Sequence, residues 1–337
     1  MRVAKFTVFV FCILLILGCA RQKGTTPVAG GQKKYLIGIA KIVQHEALDA
    51  VEKGIQDTLV ERGYSFTADL QNANGDINTA TQIANKFKAE KVDVAVGIAT
   101  PVAVALANVL KDTPVVFATV TDPVGAKLVT SLDRGEGNVC GLSDAIPTVE
   151  HIGLFQKVAN IKTLGYIYTS SEANSISALA QVEDGCKKYG ITLVSQAINT
   201  SADLRSAALS IINRVDGIYL TTDNTVFSAL PALIQICRDA KKPIFSGDVT
   251  GALGGGCKIA SGFNYYKAGK ATGQIVADIL AGKKPADIPV KFMTDPSDSD
   301  LLIDLDTATI CGITIPDSLL SQANYVLQEG QLTHRNQ

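Results

Sequence analysis

Tryptophan is absent from this chain, methionine occurs twice and histidine three times among 337 residues. The three histidines, His45, His151 and His334, are scattered, and none neighbours a nucleophile at a strand end, so no Ser/His/Asp triad is visible. No two of the seven cysteines form a CxxC pair. Five of them, Cys140, Cys186, Cys237, Cys257 and Cys311, lie beyond the oily N-terminus, and an odd number cannot all pair within one chain. That spacing argues against a disulfide framework or a metal site, and the five read as small buried hydrophobes. "GALGGGC" has the glycines of a phosphate cradle but no lysine at the required place, so it reads as a turn. Charge of one sign is also missing: 31 basic residues stand against 32 acidic ones, a net charge of −1. Nucleic acid, which selects a basic face, is therefore not an expected partner.

What is present is apolar mass, 47% of the residues, in a chain long enough for about two domains. The longest oily stretch runs from Phe6 to Leu17 behind Arg2 and Lys5. It falls short of the roughly 20 residues that a helix needs to span a bilayer. A charged start, a short apolar middle and a small residue before a cut describe a secretory signal over residues 1–18. "LILGCARQ" resembles a bacterial lipobox, which implies a cut after Gly18 and lipid on Cys19. A multiply acylated terminus anchors stably where a single chain does not. The body would then lie outside the cytoplasm, lipid-anchored to a bacterial membrane, with residues 19–33 as a flexible tether.

Beyond the tether the chain alternates. "KYLIGIA", "YSFTADL", "VDVAVGIA" and "TPVVFATV" read as strands, separated by helical patterns such as "HEALDAVEKGIQDTLVERG" and "DINTATQIANKFKAE". Asp76 is the expected N-cap of the latter. The alternation then repeats with "TLGYIYT", "ITLVSQAI", "VDGIYLTT" and "KPIFSG" as strands, and with "TVFSALPALIQICRDA" among the helices. This predicts an α/β protein: two Rossmann-like lobes with parallel sheets. A tail that returns to both halves predicts several crossovers, hence a hinge.

In open parallel sheets, ligands gather at the carboxyl ends of the strands, where helix N-termini offer unpaired N–H groups. In the first half these ends carry Thr100, Thr121, Asp122, Ser143 and Asp144. In the second half they carry Tyr168, Asn174, Ser175, Asp223, Asn224 and Asp248, and a late strand adds Tyr265. Each has a structural alternative: Thr100, Asp122 and Asp223 as helix caps, Asp144 and Asp248 as hinge braces, Tyr168 and Tyr265 as rim aromatics. An edge rich in hydrogen-bonding groups and poor in acid/base pairs suits binding better than turnover. Neither a cofactor nor a metal is called for.

The segments "GIATPVAVALAN", "TPVVFATVTDPVGAKLV", "NVCGLSD", "LGYIYTSSEANS", "VDGIYLTTDNTV" and "GFNYYKAGKATGQIVADILAGKKP" resemble the tryptophan/tyrosine-type ABC transporter substrate-binding proteins over about residues 35–328. The resemblance implies a type I periplasmic-binding fold with a three-strand hinge. It divides the chain into an N-terminal lobe, residues 34–144 plus about 266–297, and a C-terminal lobe, residues 145–265 plus about 298–337. It also implies a monomeric extracytoplasmic receptor that captures a small solute, an aromatic amino acid first, and hands it to ABC permease and ATPase subunits. Alternatives are a nucleoside, sugar or cyclic amine, or a sensor that presents its closed form to a membrane receptor; the lack of tryptophan argues against sugar. For an amino acid, Thr100, Asn174 and Ser175 would meet the carboxylate, and Asp223, then Asp122 or Asp248, the ammonium. Tyr168 or Tyr265 would stack on a ring. Family members often carry Glu where this chain has Asp248, and Thr where it has Cys140.

Overall fold

Short apolar runs, each followed by a helix start, produce a β-α-β alternation twice. The computed structural model describes residues 33–335. The signal segment, nearly all of the tether and Cys19 lie outside the described residues. The chain opens with β1 (Tyr35–Lys41), α1 (Glu46–Glu61), β2 (Phe66–Asn72), α2 (Ile77–Glu90), β3 (Val94–Ile98), α3 (Thr100–Val109), β4 (Val115–Ala118) and β5 (Val139–Ser143). The second half runs through α4 (Thr148–Ala159), β6 (Thr163–Thr169), α5 (Ala173–Tyr189), β7 (Thr192–Ile198), α6 (Leu204–Ile211) and β8 (Gly217–Leu220). It continues with α7 (Asn224–Ser228), α8 (Leu230–Asp239), β9 (Ile244–Ser246) and β10 (Ile259–Phe263). Then α9 (Tyr265–Leu280) and β11 (Lys291–Phe292) rejoin the first half. Finally β12 (Ser299–Asp304), α10 (Leu305–Ile310), α11 (Asp317–Leu320), β13 (Tyr325–Gln328) and β14 (Gln331–His334) complete the second.

Six strands in the order β11-β5-β4-β3-β1-β2 form one sheet, parallel throughout. Eight strands in the order β14-β13-β12-β10-β9-β8-β6-β7 form the other. That second sheet departs from the all-parallel expectation at its far side, where β12 runs antiparallel to β10 and β14 antiparallel to β13. For β14 the reason is connection length: a tight turn at Glu329 and Gly330, both at positive φ, returns β13 directly as β14, whereas β12 enters the sheet only after the chain has passed through α9 and β11 of the first lobe. Each sheet contains the order 2-1-3-4-5 of a doubly wound fold, with its switch point between β1 and β3 in one lobe and between β6 and β8 in the other.

The first lobe buries one continuous core that includes Ile37, Val96, Phe117 and Phe87. The second has a core on each face of its sheet, around Leu233 and Ile218 on one side and Phe155 and Phe245 on the other. Helices α1 and α9 meet through glycines. A Cβ on Gly269 would lie 2.3 Å from the Val51 carbonyl oxygen, and one on Gly54 would lie 2.4 Å from that of Tyr266. Asp76 does cap α2, accepting from the Thr79 amide. The stretch expected as one helix at 225–240 is two, broken at Ala229 (φ −123°), because Pro231 in the first turn of α8 has no N–H to carry a longer helix through. Cys140, Cys186, Cys237 and Cys257 are buried free thiols, and Cys311 is half-buried.

Candidate functional site

The two switch points face one small, largely enclosed cavity. The first lobe contributes His45 after β1, Leu48 on α1, Thr100 after β3, Thr119 and Thr121 after β4 and Asp144 after β5. The second contributes Asn174 from α5, Thr222, Asp223, Asn224 and Phe227 after β8, and Asp248 after β9; Tyr265 joins them from the start of α9.

Backbone strain marks the first lobe's side of this cavity. Ala99, the N-cap of α3, has φ 74°, and Thr119, directly after β4, has φ 53°. Left-handed conformations of residues with a Cβ cost about 1–3 kcal/mol each and persist where the surroundings dictate them. Here they turn Thr100 and Thr121 toward the cavity.

Among the described residues, three carboxylates line the walls, and no lysine or arginine does. Asp144 accepts from Thr121 Oγ1 and from the Tyr265 hydroxyl, each at 3.1 Å, and burial pushes its carboxyl up to about 6. Asp248 accepts from the Thr250 amide at 2.7 Å; burial first, with the charge of Asp144 adding, pushes it up to about 7. Asp223 is different. It accepts from the Thr169 amide (2.6 Å), Thr169 Oγ1 (2.8 Å), Ser175 Oγ (2.7 Å) and the Val226 amide (3.0 Å). A carboxylate has about four acceptor positions. Asp223 therefore anchors the ends of β6, α5 and α7 with its capacity used within its own lobe.

Behind this wall lies Glu172. It is buried and accepts from the Asn224 side chain at 2.6 Å, the Asn174 side chain at 3.1 Å and the Thr225 amide at 3.0 Å. Burial, with Asp223 adding, pushes its carboxyl up to about 7. Both hydrogens of the Asn174 amide are thereby committed, to Glu172 and to the Thr222 carbonyl (3.0 Å). Asn174 Oδ1, Thr100 Oγ1 and His45 Nε2 are buried without a hydrogen-bond partner. Burial lowers the His45 imidazolium to about 4, so the ring is neutral at pH 7.

Direct bonds join the lobes around the cavity. Thr121 Oγ1 and Thr222 Oγ1 are 2.9 Å apart, and Ser177 Oγ donates to Asp122 Oδ2 at 2.9 Å. The cleft is closed.

Eight of the twelve rim residues expected to bind line the cavity: Thr100, Thr121, Asp144, Asn174, Asp223, Asn224, Asp248 and Tyr265. The other four do other work. Ser175 Oγ donates to Asp223, and Ser143 Oγ donates to the Thr121 carbonyl at 3.1 Å. Asp122 accepts from the Gly125 amide at 2.8 Å and from Ser177. Tyr168 stacks on Tyr166, ring centroids 5.9 Å apart, on the face of β6 and not at its end. His45, Leu48 and Phe227 line the cavity without having been expected there, and Thr119 and Thr222, which also line it, belong to the strand-end segments that the sequence singles out. The signal for Phe227 was available: at i+3 from Asn224 it shares that residue's helix face. His151, by contrast, is a core residue whose Nδ1 lies 3.1 Å from the Tyr219 hydroxyl.

Two doubly wound lobes that close on a polar cavity, linked by three crossovers, define a hinged two-lobe solute-binding protein. The chain belongs to the ABC transporter substrate binding protein family, whose model matches residues 36–327. It is 32% identical over 305 residues to a tyrosine-binding protein of Clostridioides difficile, covering 88% of this chain and 87% of that one. Among solved structures it is similar to an ABC domain in complex with L-Trp from Streptococcus pneumoniae, with 34% identity and a TM-score of 0.83. It also matches the ligand-free, open structure of a substrate binding protein with adhesive properties from Clostridium difficile, with 32% identity and a TM-score of 0.64. Both matches cover 88% of this chain and 100% of the other. At nearly equal identity, the superposition favours the complex, in keeping with the closed cleft.

Proposed function

We propose that this protein is the extracytoplasmic receptor of an ABC importer and captures an amino acid, an aromatic one in preference, by closing its two lobes over it, then releases it unchanged. The observation that carries this reading is the charge of the cavity: carboxylates from both lobes, no basic side chain and a neutral His45. Such a site is incomplete without a cation. The ligand's ammonium lies between Asp144 and Asp248, with Asn174 Oδ1 as a third acceptor. This moves the ammonium contact away from Asp223, whose acceptor positions are taken. It also reverses the part expected of Asn174, whose free atom accepts and does not donate. The carboxylate meets Thr100 Oγ1, His45 Nε2 and the N-terminus of α3. Leu48, Phe227 and Tyr265 are the apolar walls available to the side chain. The similarity to a tyrosine-binding protein and to a structure holding L-Trp supports an aromatic ligand.

Contacts to both lobes stabilise the closed state by their differential affinity, which is what a permease can read. The lipobox-like "LGC" at residues 17–19 supports an anchor on Cys19. Thermal-shift screening of amino acids, nucleosides and sugars tests the ligand class, because a solute that binds only the folded state raises the melting midpoint. L-Tryptophan or L-tyrosine is expected to raise it. No shift with any aromatic amino acid, alongside a clear shift with another solute, ends the aromatic reading. Labelling with a lipid precursor that survives Cys19→Ala ends the anchor.

A further inference from the structure

Two helices start at the cavity wall, and their N-termini are finished in opposite ways. In the first lobe α3 is open: its N-cap Ala99 offers no side-chain bond, Pro101 has no N–H, and Thr100 Oγ1 is buried without a partner. In the second lobe α7 is stoppered. The amides of Asn224 and Thr225 donate to Glu172 at 3.3 and 3.0 Å. The Val226 amide donates to Asp223 Oδ1 and the Phe227 amide to the Asp223 carbonyl, each at 3.0 Å. The first turn of α7 thus has no N–H left for a ligand.

Glu172 holds an unusual place. It directly precedes α5, where a carboxylate ordinarily accepts from its own helix, yet its side chain makes no cap bond there. It is buried and reaches across to α7 instead. Besides the two amides it accepts from the Thr225 hydroxyl at 2.7 Å, the Asn174 side chain at 3.1 Å and the Asn224 side chain at 2.6 Å. The orientation of a side-chain amide follows from the bonds at its two ends. With the nitrogens of Asn174 and Asn224 held on Glu172, both side chains present their oxygens to the cavity that they line. Asn174 Oδ1 is there without a partner.

Resting on the amino-acid reading above, we propose that Glu172 is a positioning residue that sets the polarity of the second lobe's wall: it stoppers α7 and turns two asparagines oxygen-first, so that this wall takes an ammonium and refuses a carboxylate. The ligand is thereby oriented, because the open N-terminus of α3 in the other lobe is the end left for its carboxylate. Glu172 itself does not line the cavity and acts through Asn174 and Asn224. A glutamine at its place keeps the length and one oxygen but sets an NH2 group among donors. An asparagine amide relieves that conflict by turning over, which puts its own N–H groups into the cavity.

Calorimetric titration with L-tryptophan and with 3-indolepropionate, the same molecule without its α-amino group, reads this polarity. The parent is expected to hold L-tryptophan more tightly by a factor of about 100. Glu172→Gln is expected to shrink that ratio about tenfold, with 3-indolepropionate held as well as by the parent or better. If Glu172→Gln leaves the ratio at the parent's value, whether or not both compounds bind more weakly, Glu172 only supports the fold and the amino-acid reading stands. Should Glu172→Gln fail to fold, Asn174→Ala decides, since it removes the aimed oxygen and leaves Glu172 its bonds to α7. A ratio reduced about tenfold in that variant upholds the polarity of the wall, and an unchanged ratio overturns it. If the parent binds 3-indolepropionate as tightly as L-tryptophan, or binds neither, the amino-acid reading itself falls.

Discussion

The Tyr265 hydroxyl donates to Asp144 Oδ2 across 3.1 Å, joining the residue after β5 to the first residue of α9. These are two of the three places where the chain passes between lobes, so a hinge brace and a cavity wall are the same pair of side chains. Both are buried. Tyr265→Phe keeps the ring and deletes the donor, leaving Asp144 with Thr121 alone. Losing one partner of a buried carboxyl costs about 1–3 kcal/mol. The melting midpoint is expected to fall accordingly, and urea titration checks the size of the loss.

The acid pair Asp144 and Asp248 makes stability and binding run in opposite directions with pH. Both carboxyls are raised in the folded state, to about 6 and about 7, from ordinary values near 4. The folded protein therefore holds more protons than the unfolded chain between those limits. Their contribution is full below pH ~4 and is lost as pH rises through 6 to 7. Glu172, raised to about 7, adds to the same trend. Asp248→Asn keeps an acceptor for the Thr250 amide and removes the titration. Its stability relative to the parent is expected to climb by about 2–4 kcal/mol between pH 4 and 8. An ammonium ligand needs the charged acids, so its affinity for the parent is expected to rise over the same interval, with proton release measurable by calorimetry in buffers of different ionisation enthalpy. A flat profile in both measurements removes the acid pair from the site.

Much of this architecture is legible in the sequence, and the reasons are physical. The β-α-β alternation sets two doubly wound sheets, and a residue directly after a strand has few places to go except the strand end. Thr100, Asp144 and Asp248 are legible on that ground. What is not legible is direction within a crowded edge. Ser143 closes β5, yet its hydroxyl turns back to the neighbouring Thr121 carbonyl. Tyr168 lies one residue from the end of β6, but strand alternation puts its ring on the same sheet face as Tyr166. Phe227 is within reach of the helical spacing from Asn224, but His45 escapes because its place depends on how the lobes close, and no local pattern encodes its contact with a segment 182 residues away. The antiparallel end of the second sheet escapes for a similar reason, since β14 rests on a turn and β12 on the chain's return from the other lobe, and neither is a periodicity.

Asp223 offers a separation of anchoring from recognition. Its four bonds hold the ends of β6, α5 and α7 together. Asp223→Ala orphans three buried donors and uncaps α7, at an expected cost of about 3 kcal/mol or more. The variant is expected to melt well below the parent in the absence of any ligand. A variant of unchanged stability that loses only amino-acid binding returns Asp223 to the ammonium contact and takes Asp248 out of it.

The closed cleft carries its own latches, and one of them can be cut outside the cavity. Ser177 Oγ donates to Asp122 Oδ2 between α5 and the loop after β4, whereas Thr121 and Thr222 meet inside the cavity wall. Neither bond survives separation of the lobes, so each stabilises only the closed state. Ser177→Ala removes one and leaves Asp122 its bond from the Gly125 amide. A hydrogen bond of this kind contributes about 0.5–1.5 kcal/mol. If closed molecules are the minority without ligand, that loss lowers their fraction and weakens apparent affinity about 2–10-fold, through the fraction competent to hold the ligand. Solution scattering checks the cause: the ligand-free variant is expected to show a radius of gyration at or above the parent's, and saturating ligand is expected to bring both to the same value. Equal affinities and equal radii in the two proteins mean that closure is driven by the ligand alone and that the Ser177–Asp122 bond forms without consequence.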